Sequence, residues 1–255
     1  MCRHVAYLGP PVTLAEVLLG PDRSLLEQTW APGDMRGSGS VNADGFGVGW
    51  YVGPGDAARY RRAVPMWADA SFPDLAAHVR TEAFLAAARN GTTGMPVTET
   101  ACAPFREGRW LFSHNGVVLG WPETATALAE ELPMTDLLQL EAPTDSALLW
   151  ALLRHRLRQG ADLAAAVEDL TLRVAHAAPG SRLNLLATDG EIVAATTWVH
   201  SLSVLESGDH VLVSSEPFGA DDGWRSVPDR HLVVATASSV KIQPLPAQPA
   251  QEGSR

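Results

Sequence analysis

The middle of this 255-residue chain constrains its fold more than any other stretch. Leu149, Leu153 and Leu157 recur every fourth position behind Thr144, a residue type that caps helix N-termini. Asp162 can cap a second helix, whose apolar stripe is Leu163, Val167, Leu170 and Val174. The pattern predicts an antiparallel helix pair. On either side the periodicity becomes that of strands. Arg3 to Leu8 and the glycine-rich Phe46 to Val52 precede the pair. Arg182 to Thr188, an Asp189-Gly190 turn, Glu191 to Trp198, Ser201 to Leu205 and His210 to Ser214 follow it. An antiparallel sheet buries one face against another layer, so two sheets stacked between helix layers, an α+β architecture, is the economical arrangement.

Length and composition set the class. A chain of this size, 46% hydrophobic, buries one sizeable core. No long linker or internal repeat divides it, apart from a loop-like Pro32 to Ser40 stretch containing GSGS. The tail after Pro244, residues 245–255, is rich in Pro, Gln, Gly and Ser and is expected to be mobile. The formal charge of −10, from 29 acids against 19 bases, argues against nucleic acid or an anionic membrane and for a small-molecule partner. No apolar run is long enough to cross a bilayer and the start, MCRHVAYLG, lacks signal-peptide features, so a cytoplasmic location is expected. Two cysteines, Cys2 and Cys102, make no disulfide framework and have no zinc-site spacing, and the eight histidines contain no metal-ligand pair. Nor does GFGVGW complete a phosphate-binding fingerprint.

Chemistry begins at Cys2. Removal of Met1 leaves a thiol and a free α-amine on one residue. An α-amine titrates near pH 8 and a thiol near 8.5, so the amine can take the thiol's proton directly or through water. Against this stands the ordinary fate of a free cysteine, burial as a small hydrophobe. Ser113-His114-Asn115-Gly116 follows a strand expected at Trp110 to Phe112. A side-chain amide followed by a glycine NH can aim two donors at one oxyanion. An Asn-Gly turn between strands is the plainer reading of the same dipeptide. Arg89 offers a planar fork for a carboxylate and Asp145 a charge for an ammonium group, although an acid in a helix's first turn is favoured by the dipole alone.

Taken in order, Met1-Cys2, Asn42-Ala43-Asp44-Gly45-Phe46-Gly47-Val48-Gly49, Arg89 through Gly94, His114-Asn115-Gly116 and Thr144-Asp145-Ser146 resemble a class II glutamine amidotransferase domain of the N-terminal-nucleophile hydrolase type. The resemblance implies a four-layer αββα sandwich spanning residues 2–244 as one domain. It implies that Cys2 attacks a γ-carbonyl and that Asn115 and the Gly116 NH form the oxyanion hole. Arg89 and Thr92 would hold the substrate's α-carboxylate and Asp145 its α-ammonium. No metal or organic cofactor is implied, and homo-oligomerisation stays open. VPMWADASF, TTGMP, WLFSHNGVV, RLNLLATDG, ATTW, SEPF and DDGWRSVPDRHLV extend the resemblance to the ergothioneine-pathway branch, which removes glutamate from γ-glutamyl-hercynylcysteine S-oxide.

Three positions depart from the glutamine-using relatives. Asn90 replaces an aromatic residue, Thr93 a histidine, and Ala103 a histidine before Pro104-Phe105. Trimming them would open the leaving-group side to something larger than ammonia. That leaving group carries a trimethylated ammonium, which favours aromatic faces, and Trp50, Trp67, Trp110, Trp121, Trp198 and Trp224 are the cage residues considered. Two alternatives remain: a glutaminase subunit supplying ammonia to a separate synthase, and a non-catalytic binding protein on the same fold.

Overall fold

The computed structural model describes residues 2–34, 36, 41–53 and 55–246. Met1, the GSGS of the Pro32 to Ser40 loop, and the tail from residue 247 onward lie outside the described residues.

Thirteen strands are described: β1 (Arg3–Thr13), β2 (Phe46–Trp50), β3 (Ala58–Arg62), β4 (Arg80–Ala88), β5 (Phe105–Glu107), β6 (Trp110–Val117), β7 (Arg182–Thr188), β8 (Val193–Thr196), β9 (Ser203–Glu206), β10 (Val211–Ser214), β11 (Arg225–Ser226), β12 (His231–Thr236) and β13 (Ser239–Pro244). They form a seven-stranded sheet, β11-β9-β10-β1-β4-β2-β3, and a six-stranded one, β13-β12-β8-β7-β6-β5. Helices α1 (Leu14–Leu18), α2 (Leu25–Gln28) and α3 (Phe72–His78) lie against the first. Helices α4 (Thr126–Ala129), α5 (Met134–Leu138), α6 (Asp145–Arg158) and α7 (Leu163–Ala177) lie beside the second, with α6 and α7 packed on it.

Side-chain alternation builds these layers. In β1, Val5 and Tyr7 join the core under α1 to α3, while Ala6 and Leu8 face the second sheet. In β4, Phe84, Ala86 and Ala88 take the helix side and Ala83 and Leu85 the sheet side. β6 and β7 do the same from below: Phe112 and Leu185 meet α6 and α7, and Leu111 and Leu186 meet the first sheet. Period-two strands buried on both faces give three cores in a four-layer αββα stack.

The expected helix pair is present. Thr144 accepts from the Ala147 NH at 3.2 Å and Asp162 from the Ala165 NH at 3.0 Å, so both capping residues act as expected. The Leu149 stripe is only part of what α6 buries, because the six residues from Leu148 to Leu153 are all inaccessible. β7 matches its expected limits. The Asn-Gly turn does not form: Ser113 to Gly116 continue β6, with Asn115 opposite Asn184 and Gly116 opposite Leu183. The lengthwise pairing with β7 outweighs the dipeptide's turn preference. β4, whose alanine-rich end carries weak strand preference, was not marked by periodicity.

Candidate active site

Register decides which side chains converge. Continuing the alternation of β1 beyond Arg3 puts Cys2 on the same inter-sheet side as His4, Ala6 and Leu8. In β4 that side holds Ala83, Leu85 and Ala87, and one alternation further Arg89. In β6 it holds Leu111, Ser113 and Asn115. Cys2 and Arg89 accordingly line one cavity of about 30 Å³ with Ala87, Ala103, Ser113 and His114. A much larger cleft, about 450 Å³, opens at the opposite end of the strands beside Tyr51, Arg80, Asp189 and Glu191, remote from Cys2.

Cys2 is half-buried, and its Sγ lies 3.7 Å from the Asn90 carbonyl. Its own carbonyl accepts from Arg3 Nη1 at 3.2 Å. Arg3, fully buried, pairs with the equally buried Glu216 at 2.7 Å, and Glu216 also accepts from the Gly33 NH at 2.6 Å. Cys2 and Arg3 are thus anchored by the glutamate of SEPF. Spacing could not join two motifs 213 positions apart.

Asn115 is 1% exposed, and neither its Oδ1 nor its Nδ2 has a hydrogen-bond partner among the described residues. A buried amide left unpaired costs about 1–3 kcal/mol and is rare in a folded core. Gly116 follows where a side chain would collide with the Arg182 carbonyl and approach His114 Nε2 within 2.6 Å. His114, which lines the Cys2 cavity together with Ser146, is held by Ser146 Oγ and the Arg182 carbonyl, each at 3.0 Å.

Asp145 is buried at the start of α6 and already committed. Its Oδ2 accepts from the Val118 NH at 2.9 Å and its Oδ1 from the Ser146 NH at 2.7 Å. Oδ1 also accepts from Ser146 Oγ at 3.2 Å, so Oδ2 is the oxygen that keeps a further lone pair for a ligand. Arg89 donates to the Pro96 carbonyl at 2.9 Å, and the Asp44 carboxylate holds the Gly91 NH at 2.8 Å, joining the Asn42–Gly49 and Arg89–Gly94 motifs. Thr92 is exposed on the intervening loop and does not line the cavity.

The residues missed from sequence are the buried histidines and their supports. His4 Nδ1 lies 3.3 Å from Ser113 Oγ, bridging the sheets. Burial, helped by the neighbouring His114 and the Arg3 guanidinium, holds His4 down at about 3, so it is neutral at physiological pH. His200 is held equally low, by burial and then Arg182. Opposite Asn115, the Asn184 side chain donates to the His200 and Ser201 carbonyls at 3.0 and 3.1 Å and accepts from the Trp198 NH at 2.8 Å. It fixes a turn that contains Val199 at φ +82°.

With this geometry in place, comparison with known proteins is decisive. The model for class-II glutamine amidotransferases matches residues 28–207. The chain belongs to that family. A protein of Mycolicibacterium smegmatis named gamma-glutamyl-hercynylcysteine sulfoxide hydrolase is 42% identical over 245 residues, covering 96% of this chain and all of that one. A Mycobacterium tuberculosis protein of the same name is 40% identical, covering 96% and 97%. Among solved structures, a class-II domain protein from Silicibacter pomeroyi superposes with a TM-score of 0.67 at 24% identity, covering 96% of this chain and all of that one. Glutamine phosphoribosylpyrophosphate amidotransferase of B. subtilis gives 0.64 at 14% identity, with 97% of this chain covering 50% of that one. These superpositions carry the fold, the four-layer αββα sandwich described above. Among the described residues no helix is long and apolar enough to cross a membrane.

Proposed function

We propose that this class-II domain is a cytoplasmic γ-glutamyl amidase whose substrate is γ-glutamyl-hercynylcysteine S-oxide. The observation that carries the reading is the half-buried Cys2 sharing a cavity with Arg89 and Ser113, two residues before the buried, unpartnered amide of Asn115. The name borne by relatives aligned along nearly the whole chain supports the substrate.

In this mechanism Met1 is removed and the Cys2 α-amine takes the thiol proton. Sγ attacks the γ-carbonyl, and the carbonyl π pair moves to oxygen, where Asn115 Nδ2 and the Gly116 NH receive it. The oxyanion collapses, the C–N bond breaks, and the amine leaves with a proton returned by the α-ammonium. Water then attacks the γ-glutamyl thioester, releasing glutamate and restoring the thiol. Arg89 holds the α-carboxylate, Thr92 assists from the loop, and Asp145 uses the remaining lone pair of its Oδ2 for the α-ammonium. A cavity of about 30 Å³ holds one water and no glutamyl group, so the residues that line it must move apart to admit the substrate. Ala103 lines that cavity, and its missing imidazole leaves room on the amine side.

Mass spectrometry of the Met1-processed protein incubated with γ-glutamyl-hercynylcysteine S-oxide tests this. Glutamate release, a transient glutamyl adduct on Cys2 and slower turnover of glutamine are expected. Faster release from glutamine would instead favour a glutaminase that feeds ammonia to a partner.

A further inference from the structure

The structure sorts the tryptophans. Trp50 and Trp224 pack on the core beneath α1 to α3, Trp110 and Trp121 on the core beneath α6 and α7, and Trp150 and Trp198 are buried. The Trp198 face is already covered by the Arg230 guanidinium at 4.8 Å. Of the Phe, Tyr and Trp side chains described, only Trp30 and Trp67 are exposed, at 45% and 44%. They touch each other, with ring centroids 5.8 Å apart and planes at 86°. Two exposed indoles set at right angles make a corner, and an exposed aromatic pair of this kind marks a binding surface more often than chance.

Strand register locates the corner. Arg3 pairs with Ala88, Ala88 with Phe46, and Phe46 with Arg62. The ends Cys2, Arg89, Gly45 and Ala63 therefore stand in a row on neighbouring strands at one end of the sheet. At about 4.8 Å per strand, Ala63 lies roughly 14 Å from Cys2. From there Pro65 leads into the short helical turn Met66–Ala68, whose Met66 is locked in the core and whose Trp67 projects outward. Trp30 is held at the same end, because the Thr29 carbonyl accepts from the Asn42 NH at 2.7 Å, three residues before Gly45.

The leaving group of the substrate proposed above ends in a quaternary nitrogen ten bonds from the scissile carbonyl carbon, a reach of roughly 12 Å when extended. A quaternary ammonium has no N–H to donate and is stabilised by aromatic faces within about 6 Å. The chain's charge of −10 favours a cation at its surface. We propose that Trp30 and Trp67 form a two-walled receptor for the quaternary ammonium at the far end of the leaving group. This rests on the γ-glutamyl amidase reading. It selects for the cationic amine over glutamine, whose ammonia cannot reach the corner.

The test compares glutamate release by the full, Met1-processed chain from two synthetic substrates: γ-glutamyl-hercynylcysteine S-oxide and its isostere bearing a tert-butyl group in place of trimethylammonium. The wild-type protein should prefer the cation by about tenfold in kcat/KM, expressed in KM. Trp67→Leu and Trp30→Leu, which keep apolar bulk at exposed positions, should bring the preference close to unity, and Trp67→Tyr should retain most of it. Equal use of both substrates by the wild type overturns the receptor and leaves the amidase reading standing. Release from neither overturns both. A preference undiminished in both leucine variants, whatever happens to overall rate, also overturns the receptor.

Discussion

Cys2 and Cys102 are the two free cysteines of the chain, yet their surroundings put the same thiol to different ends. Cys102 is inaccessible, with its Sγ directed at the Thr98 and Arg62 carbonyls at 3.3 and 3.5 Å. It fits beneath Gly45, whose φ is +120° and where an added Cβ would collide with the Cys102 Sγ and lie 2.7 Å from the Arg62 carbonyl oxygen. Burial pushes its thiol up to about 11. Cys2 stands at a strand end, half-exposed, with one long contact to the Asn90 carbonyl and an unpaired amide on the facing strand. Cysteine reactivity follows thiolate access and surroundings, so the two positions predict opposite chemistry.

Exchanging the thiols one at a time should give the largest effect. Cys2→Ala is expected to reduce glutamate release about 10⁴-fold or more, whereas Cys102→Ala should stay within about threefold. Iodoacetamide followed by peptide mass spectrometry should label Cys2 and spare Cys102 in the folded protein. Preferential labelling of Cys102 would break the comparison.

The two cysteines also differ in how their backbone is held. The Cys2 carbonyl depends on Arg3, and Arg3 on Glu216 in a fully buried ion pair. Glu216→Ala leaves buried positive charge uncompensated and should lower unfolding free energy by about 3–5 kcal/mol in urea titrations. Replacing both partners, as in Arg3→Met with Glu216→Leu, should recover part of that loss. Before any unfolding, Glu216→Ala should alter the alkylation rate of Cys2 and not that of Cys102.

The amide is the third difference. Asn115→Ala is expected to lower kcat about 100- to 1000-fold while KM changes little, since an oxyanion donor acts in the transition state. A KM effect with kcat intact would assign Asn115 to substrate binding instead.

What could be read in advance divides along physical lines. The helix pair was legible because Thr144, Asp162 and the leucine spacing are local signals, and local hydrogen bonds satisfied them. Of the candidate site, the sequence offered residue types in order: Cys2 and Arg89 line one cavity, Asn115 lies on β6 two residues beyond Ser113 of that cavity, and Asp145 starts α6. Thr92 is further out than its expected role implies. Ser113 to Gly116 were misread as leaving a strand because Asn-Gly carries a turn preference that pairing across to β7 overrides. His4, His200 and Glu216 were invisible for another reason. Each matters through partners far along the chain, and sheet order, which no short window encodes, makes them neighbours. Trp30 was passed over among eight tryptophans because exposure, the property that distinguishes it, arises only when the other six are packed.

The smallest expected effect concerns stability. The Cys102 thiol ionises near 11 in the folded chain and near 9 when unfolded. Between those values the unfolded state releases a proton that the folded state retains, so folding weakens as pH rises. The contribution is fully present below about pH 9 and lost by about 11, amounting to roughly 2 kcal/mol over the window. Tyr7 and Tyr51, also raised by burial, titrate identically in a Cys102→Ala variant and cancel in the comparison. Urea unfolding of the two proteins at pH 8 and pH 10.5 should therefore show a steeper alkaline loss for the wild type. Equal slopes would mean that Cys102 ionises in place, and the contrast between the two thiols would then rest on access to solvent alone.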